Sequence, residues 1–224
     1  TRTRNFPKRA TKPKHAVHLD HSPSFENCAR GIHLGCTSVM FDGSALPYEE
    51  NVAITKKVVE MAHAAGVTVE AEIGHVSGHE GNMLDGNIAD ESAFTTVEEA
   101  MQFYQDTQVD CLAVAIGTVH GVYKGEPHLD LDRLQAIRDE LPIPVVIHGG
   151  SGLKEKDYKE LVAHGANKIN FFTTMTLAAS EAVRKLLAEH DKLTMTDIIE
   201  VGQKAAEDIV SEHIEIFGTK PLTK

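Results

Sequence analysis

The feature that most constrains the fold is a repeated alternation of short apolar runs with helical patterns. Residues 16–20, 37–41, 67–73, 111–116, 145–147 and 168–172 each read as a strand. Helical signals fill 24–35, 47–65, 96–107, 132–140 and 155–164, and two more helices, near 177–190 and 195–217, finish the chain. Regular alternation means βαβ units and a parallel sheet, whose right-handed crossovers curl into a barrel or an open doubly wound sheet. No dinucleotide fingerprint follows the first strand, which disfavours a Rossmann domain. The expected fold is therefore α/β, of the (β/α)8 TIM barrel family, with two of the eight units lacking. The barrel domain is expected over 16–224. The preceding 1–15 carries Arg2, Arg4, Lys8, Arg9, Lys12 and Lys14, no acid, and breaks at Pro7 and Pro13. It reads as a loosely held basic arm, or as one that touches an acidic surface of a sister subunit.

Composition narrows the partners. The 224 residues carry 22 basic and 33 acidic side chains, a net charge of −11, which argues against nucleic acid as a general partner. Hydrophobic residues make up 42%, enough for a sizeable core. No apolar run is long enough to span a membrane, and no signal peptide is visible. The three cysteines, Cys28, Cys36 and Cys111, are scattered and odd in number, which points to reduced thiols in a cytoplasmic protein.

Chemistry concentrates at strand ends. The run Val145-Val146-Ile147 ends in His148, followed by Gly149-Gly150-Ser151-Gly152 and a polar helix start at Lys154. Parallel α/β folds place their chemistry at the carboxyl ends of strands. The glycines let backbone approach a ligand, and the following helix offers N–H groups to a phosphate. The plainer reading is a tight turn beside a buried histidine. His21 and His120 also follow strands directly, and three histidines with an open position form a catalytic zinc pattern. Any one of them alone reads equally as a hydrogen-bonded core residue. Asp20 would face the same mouth, either to exchange a proton with a substrate hydroxyl or to orient a ligand histidine. Glu80, in the glycine-rich stretch 74–86, reads as a loop base or a solvated acid. Asn170 and Thr173 end the last strand and would complete a phosphate site with Gly149, Gly150 and Ser151.

These segments together resemble the class II, zinc-dependent ketose-bisphosphate aldolases, of the fructose- and tagatose-bisphosphate type. The matching stretches are His18-Leu19-Asp20-His21, Ser38 to Ser44, Val69 to Gly74, Ala115 to Gly121, His148 to Gly152 and Lys168-Ile169-Asn170. The resemblance implies that His21, His120 and His148 bind catalytic Zn2+, with Glu72 near the metal. It implies that Asp20 moves the proton of the hydroxyl where the carbon–carbon bond breaks, and that Glu80 serves the nucleophilic carbon. Gly121, Gly149, Gly150, Ser151, Asn170 and Thr173 would hold the phosphorylated sugar. Carbonyls around Val119, Gly121 and Gly149 would suit a monovalent cation, Na+ or K+. A homo-oligomer, dimer or tetramer, is expected. Aldol cleavage leaves negative charge on an enediolate, chemistry for which a metal Lewis acid is suited.

Three departures from the family pattern matter. Where the family's loop reads Gly-Gly-Glu-Glu-Asp, this chain has Ser77-Gly78-His79-Glu80-Gly81, so one acid remains. Phe171 and Phe172 follow Asn170 where fructose-specific members carry an acid, which favours tagatose-type or inositol-catabolic relatives. The family's first two βα units have no counterpart, so the sheet edges are expected to be covered by the arm, another chain or a rearrangement. The alternatives are an impaired barrel fragment that binds metal and phosphate, a phospho-keto-deoxygluconate aldolase of inositol breakdown, and a Schiff-base aldolase using Lys168.

Overall fold

A computed structural model describes residues 16–78 and 87–220. The basic arm and Glu80 lie outside the described residues. Six strands, β1 (His18–Ser22), β2 (Ser38–Phe41), β3 (Thr68–Ile73), β4 (Cys111–Val114), β5 (Val145–Ile147) and β6 (Ala166–Ile169), pair in sequence order. Every neighbouring pair is parallel. The helices are α1 (Phe25–Leu34), α2 (Tyr48–Ala64), α3 (Val97–Thr107), α4 (Leu131–Glu140), α5 (Glu155–Ala163), α6 (Thr173–Glu189) and α7 (Met195–Ile216). The result is a six-stranded parallel half-barrel. Among the described residues the sheet does not close into an eight-stranded barrel: β1 and β6 end the strand order, and neither has a second strand neighbour.

Strand periodicity divides the sheet into two faces. Val39, Phe41, Val69, Ala71, Ile73, Leu112, Val114, Val145 and Ile147 pack into one apolar core with Val58, Val59, Phe103, Leu134, Ile137, Tyr158 and Leu161 of the helices. The alternate positions point the other way. Met40 lies opposite Glu70, Glu70 opposite Cys111, Glu72 opposite Ala113, Ala113 opposite Val146 and Val146 opposite Lys168. The inner face thus carries charged side chains among small and apolar ones.

The curl is strong. Asn170, one residue past β6, donates from Nδ2 to both carboxylate oxygens of Asp20 on β1, at 3.1 and 3.0 Å. In a flat sheet five strand spacings would hold those strands about 24 Å apart. The contact is made across the concave face.

Local sequence explains the ends of the elements. Ser24 accepts from Asn27 N to start α1, and Gly35, at φ +102°, closes it. Thr96 and Glu99 form a capping box on α3. Gly43 passes so close to Asn51 that a Cβ would collide with its side-chain oxygen. Asn51 in turn donates to the Glu72 carbonyl at 3.1 Å, tying α2 to the end of β3. Element bounds shift by a few residues from those expected, and two of the shifts bear on the site. The last strand stops at Ile169, and α6 begins at Thr173, well before Leu177. Thr173 therefore opens a helix and does not end a strand.

Thr95, fully buried, joins the carboxyl ends of β3 and β4: its hydroxyl donates to Ile73 O at 2.7 Å and accepts from Ala115 N at 2.9 Å. Thr95→Val leaves both backbone groups unpaired. It is expected to destabilise by about 1–3 kcal/mol for each, read as a lower urea midpoint at unchanged slope; an unchanged midpoint would contradict the assignment.

Candidate metal centre

Three imidazoles meet at the carboxyl ends of β1, β4 and β5. The ring centroids of His21 and His120 lie 4.8 Å apart, those of His21 and His148 4.5 Å, and those of His120 and His148 5.7 Å. One nitrogen from each falls within 4.8 Å of the others. His21 arrives there through an irregularity. Between Leu19↔Val39 and Ser22↔Phe41 the first strand carries one extra residue, and His21 has φ +44°. Simple alternation would send Asp20 and His21 to opposite faces. This bulge aims both at the mouth.

Two of the rings have a second anchor, and the third residue is held by its backbone. His21 Nδ1 lies 2.7 Å from Asp42 Oδ2, at the end of β2. His148 Nε2 lies 2.9 Å from Glu70 Oε1 on β3. The backbone of His120 is held by Ser77 O, which accepts from its N–H, and by Asn87 Nδ2, which donates to its carbonyl at 2.7 Å. The inward atoms His21 Nε2, His120 Nε2, His148 Nδ1 and Glu72 Oε2 are then buried without a hydrogen-bond partner among the described residues. Glu72 Oε2 and His148 Nδ1 are 3.1 Å apart but not aligned to bond. Buried polar atoms of this kind are rare unless a ligand completes them. Three imidazole nitrogens suit a borderline divalent cation, and the carboxylate–histidine pairs are the usual supports of such ligands.

Electrostatics agree. Burial and the two neighbouring imidazoles push His120 down to about 3, so it stays neutral with a free lone pair. For His148 burial opposes charge, but Glu70's hydrogen bond and the Glu72 carboxylate outweigh it and raise it to about 10. For His21 burial likewise opposes charge, and the Asp42 hydrogen bond reverses the direction to a net rise. Burial works against the Asp20 anion, yet His18 beside it and the charges of His148, His21 and Lys168 hold it well below the usual carboxylate range.

A cavity of about 440 Å³ opens on this cluster, lined by Asp20, His21, Asp42, Ser44, Glu72, His75 and His120 among others. A larger one of about 620 Å³, beside Phe94, His128, Arg133 and His164, lies elsewhere and holds none of the unpartnered buried atoms.

The expected phosphate residues also gather. Gly149 has φ +68° and passes Val119 so closely that a Cβ would collide with its carbonyl oxygen. Gly150 N donates to Asn170 O at 3.0 Å, and Ser151 Oγ accepts from the N–H groups of Phe172 and Thr174 at 3.1 and 3.4 Å. The glycine turn thus abuts the amino end of α6, with Thr173 buried in its first turn. Gly121 is buried with φ +81°. The Gly149 carbonyl, expected to face a monovalent cation, already accepts from Tyr123 Oη at 2.8 Å. Lys168, the Schiff-base candidate, is ion-paired with Glu70 at 2.9 Å. Sequence reasoning gave no role to Glu70 or Asp42. The alternation that placed Glu70 on Glu72's face, and the acid ending β2, were the available signals.

A family model described as class-II fructose-bisphosphate aldolase matches residues 3–221. The chain belongs to the class-II fructose-bisphosphate aldolase family. It is 42% identical over 211 residues to a fructose-bisphosphate aldolase of Staphylococcus aureus, covering 93% of this chain and 72% of that one. A fructose-bisphosphate aldolase of Staphylococcus epidermidis is 41% identical over 210 residues, with the same coverage. Among solved structures, the YdjI aldolase from Escherichia coli is similar at TM-score 0.77 and 34% identity, covering 90% of this chain and 69% of that one. Fructose-bisphosphate aldolase from Campylobacter jejuni, at TM-score 0.67 and 23% identity over 90% of this chain and 69% of that one, shares the fold. The family is metal-dependent, in keeping with the donor set found here.

A cation competes with the proton that His148 holds below about pH 10. Binding of a divalent metal at neutral pH is therefore expected to release a proton, with affinity rising by up to about tenfold per pH unit toward that value. Calorimetric titration in buffers of different ionisation enthalpy measures this; an enthalpy independent of buffer would contradict it.

Proposed function

We propose that the protein is a zinc-dependent aldolase that reversibly cleaves a phosphorylated ketose to dihydroxyacetone phosphate and an aldehyde. Fructose 1,6-bisphosphate is the first substrate to test and tagatose 1,6-bisphosphate the second. The observation that carries the reading is the meeting of His21, His120 and His148 beside an open cavity. Their ligand nitrogens lie within 4.8 Å of one another, and each residue has a buried nitrogen without a hydrogen-bond partner among the described residues. Family membership and the names of the relatives support it. We further propose that the half-barrel corresponds to six units of a (β/α)8 barrel.

The three histidines would hold the cation, with Glu72 beside His148. A cation held there would supply Lewis-acid polarisation of the sugar's oxygens. Asp42 and Glu70 fix the rings of His21 and His148. Asp20, held ionised by its surroundings, is placed to take the proton of the substrate hydroxyl. As that oxygen becomes an aldehyde, the adjacent carbon–carbon bond breaks and its electron pair passes to the neighbouring carbon. Glu80 is assigned to return a proton there. The Gly149-Gly150-Ser151 turn and the amino end of α6 would hold a phosphate far from the reacting bond, so that binding energy fixes the reacting carbon. Gly121, Asn170 and Thr173 border that space.

The expected setting is the cytoplasm. Cys28, Cys36 and Cys111 are free thiols, and no helix among the described residues is long and apolar enough to cross a membrane. A homo-oligomer and a monovalent cation at the Val119, Gly121 and Gly149 carbonyls belong to the same reading.

The test is the rate of cleavage of both bisphosphates before and after treatment with EDTA, and after zinc is added back. Activity lost to EDTA, restored by zinc and reduced to background in His120→Ala is expected. Cleavage indifferent to EDTA, or a covalent adduct trapped by borohydride, would overturn the reading.

A further inference from the structure

We propose that Lys168 is a positioning residue: through one ammonium group it orients both Glu70, which supports a metal-ligand histidine, and Asn170, which holds the Asp20 carboxylate. The inference rests on the metal-aldolase reading above and assigns Lys168 a role that is neither nucleophilic nor substrate-binding.

Lys168 stands on β6 and Glu70 on β3, with β4 and β5 between them. Their contact is made across the concave face, with Nζ 2.9 Å from Glu70 Oε2 and 3.1 Å from Oε1. Glu70 is 1% exposed, and its Oε1 also lies 2.9 Å from His148 Nε2. A buried carboxylate requires a cation or several donors. Lys168 supplies the cation and so keeps Glu70 an anion that accepts from the imidazole.

The same Nζ donates to Asn170 Oδ1 at 2.6 Å. An ammonium only donates, so the amide must turn its oxygen to Lys168. Its NH2 group then faces Asp20, within 3.1 and 3.0 Å of the two carboxylate oxygens. The opposite amide orientation would set donor against donor at Lys168 and acceptor against acceptor at Asp20. One lysine therefore selects the orientation of Asn170, and Asn170 selects where Asp20 points. Two arms of the site, ring alignment at His148 and carboxylate alignment at Asp20, share one anchor.

The test compares the full-length protein with Lys168→Met, Lys168→Arg and the double variant Glu70→Gln/Lys168→Met, which removes both charges together. Wild-type cleavage of fructose or tagatose 1,6-bisphosphate in the same assay settles the function separately. Lys168→Met is expected to lower kcat by about 100-fold with KM within about threefold, to weaken metal affinity by about tenfold or more, and to alter the visible spectrum of the cobalt(II)-loaded protein. Lys168→Arg should recover part of the loss. In the double variant the amide oxygen introduced by Glu70→Gln can still accept from His148. Its cobalt spectrum is expected to match wild type while kcat stays low, because Asn170 is no longer oriented. Should Lys168→Met fail to fold, the charge-balanced double variant carries the same test. Unchanged kcat in both variants would overturn the proposal. So would a rise in KM at constant kcat, which would make Lys168 a substrate contact, or a borohydride-trapped adduct at Lys168.

Discussion

Glu70 and Glu72 stand two residues apart on β3, on one face of the sheet, each 1% exposed. Two carboxylates out of water persist only where cations and donors answer them. Lys168 answers Glu70 directly, and His148 lies between the two acids at 2.9 and 3.1 Å. That demand determines what the neighbouring strands must supply. It explains a lysine on the inside of β6 and a histidine at the end of β5. Beyond Lys168 the chain of contacts runs through Asn170 to Asp20, and so joins the first strand to the last. The curl of the sheet and the geometry of its mouth depend on the same polar set.

The two faces divide the labour. The outer face is apolar and packs against the helices, and its alternation is what makes the chain fold. The inner face is given to chemistry, which such a face can hold only if every buried charge has a partner. Among the buried side-chain atoms left without a hydrogen-bond partner in the described residues are one nitrogen each of His21, His120 and His148, and these three rings meet at one place. With the rings of His21 and His148 already fixed from behind, a cation would complete the inventory without rearrangement.

Much of this is legible in the sequence. Apolar runs with period two and helical spacing between them indicate six strands in the right order, because hydrophobic patterning reports burial directly. The three histidines at strand ends are legible for the same reason. Non-local contacts are not. That Asp20 and His21 share the mouth depends on a one-residue bulge that leaves no composition signal. That Lys168 meets Glu70 rather than a substrate carbonyl depends on the curvature of strands three places apart. The start of α6 escapes helical spacing because Thr173, Thr174 and Thr176 are weak helix formers; the Ser151 hydroxyl, distant in sequence, accepts from N–H groups at the helix start.

Zinc-edge X-ray absorption of the protein loaded with one equivalent of zinc tests the central assignment most directly. Three imidazole nitrogens at about 2.0 Å, with any further ligand an oxygen, are expected. Sulfur at about 2.3 Å, or fewer than two imidazoles, would show that His21, His120 and His148 do not form the metal centre.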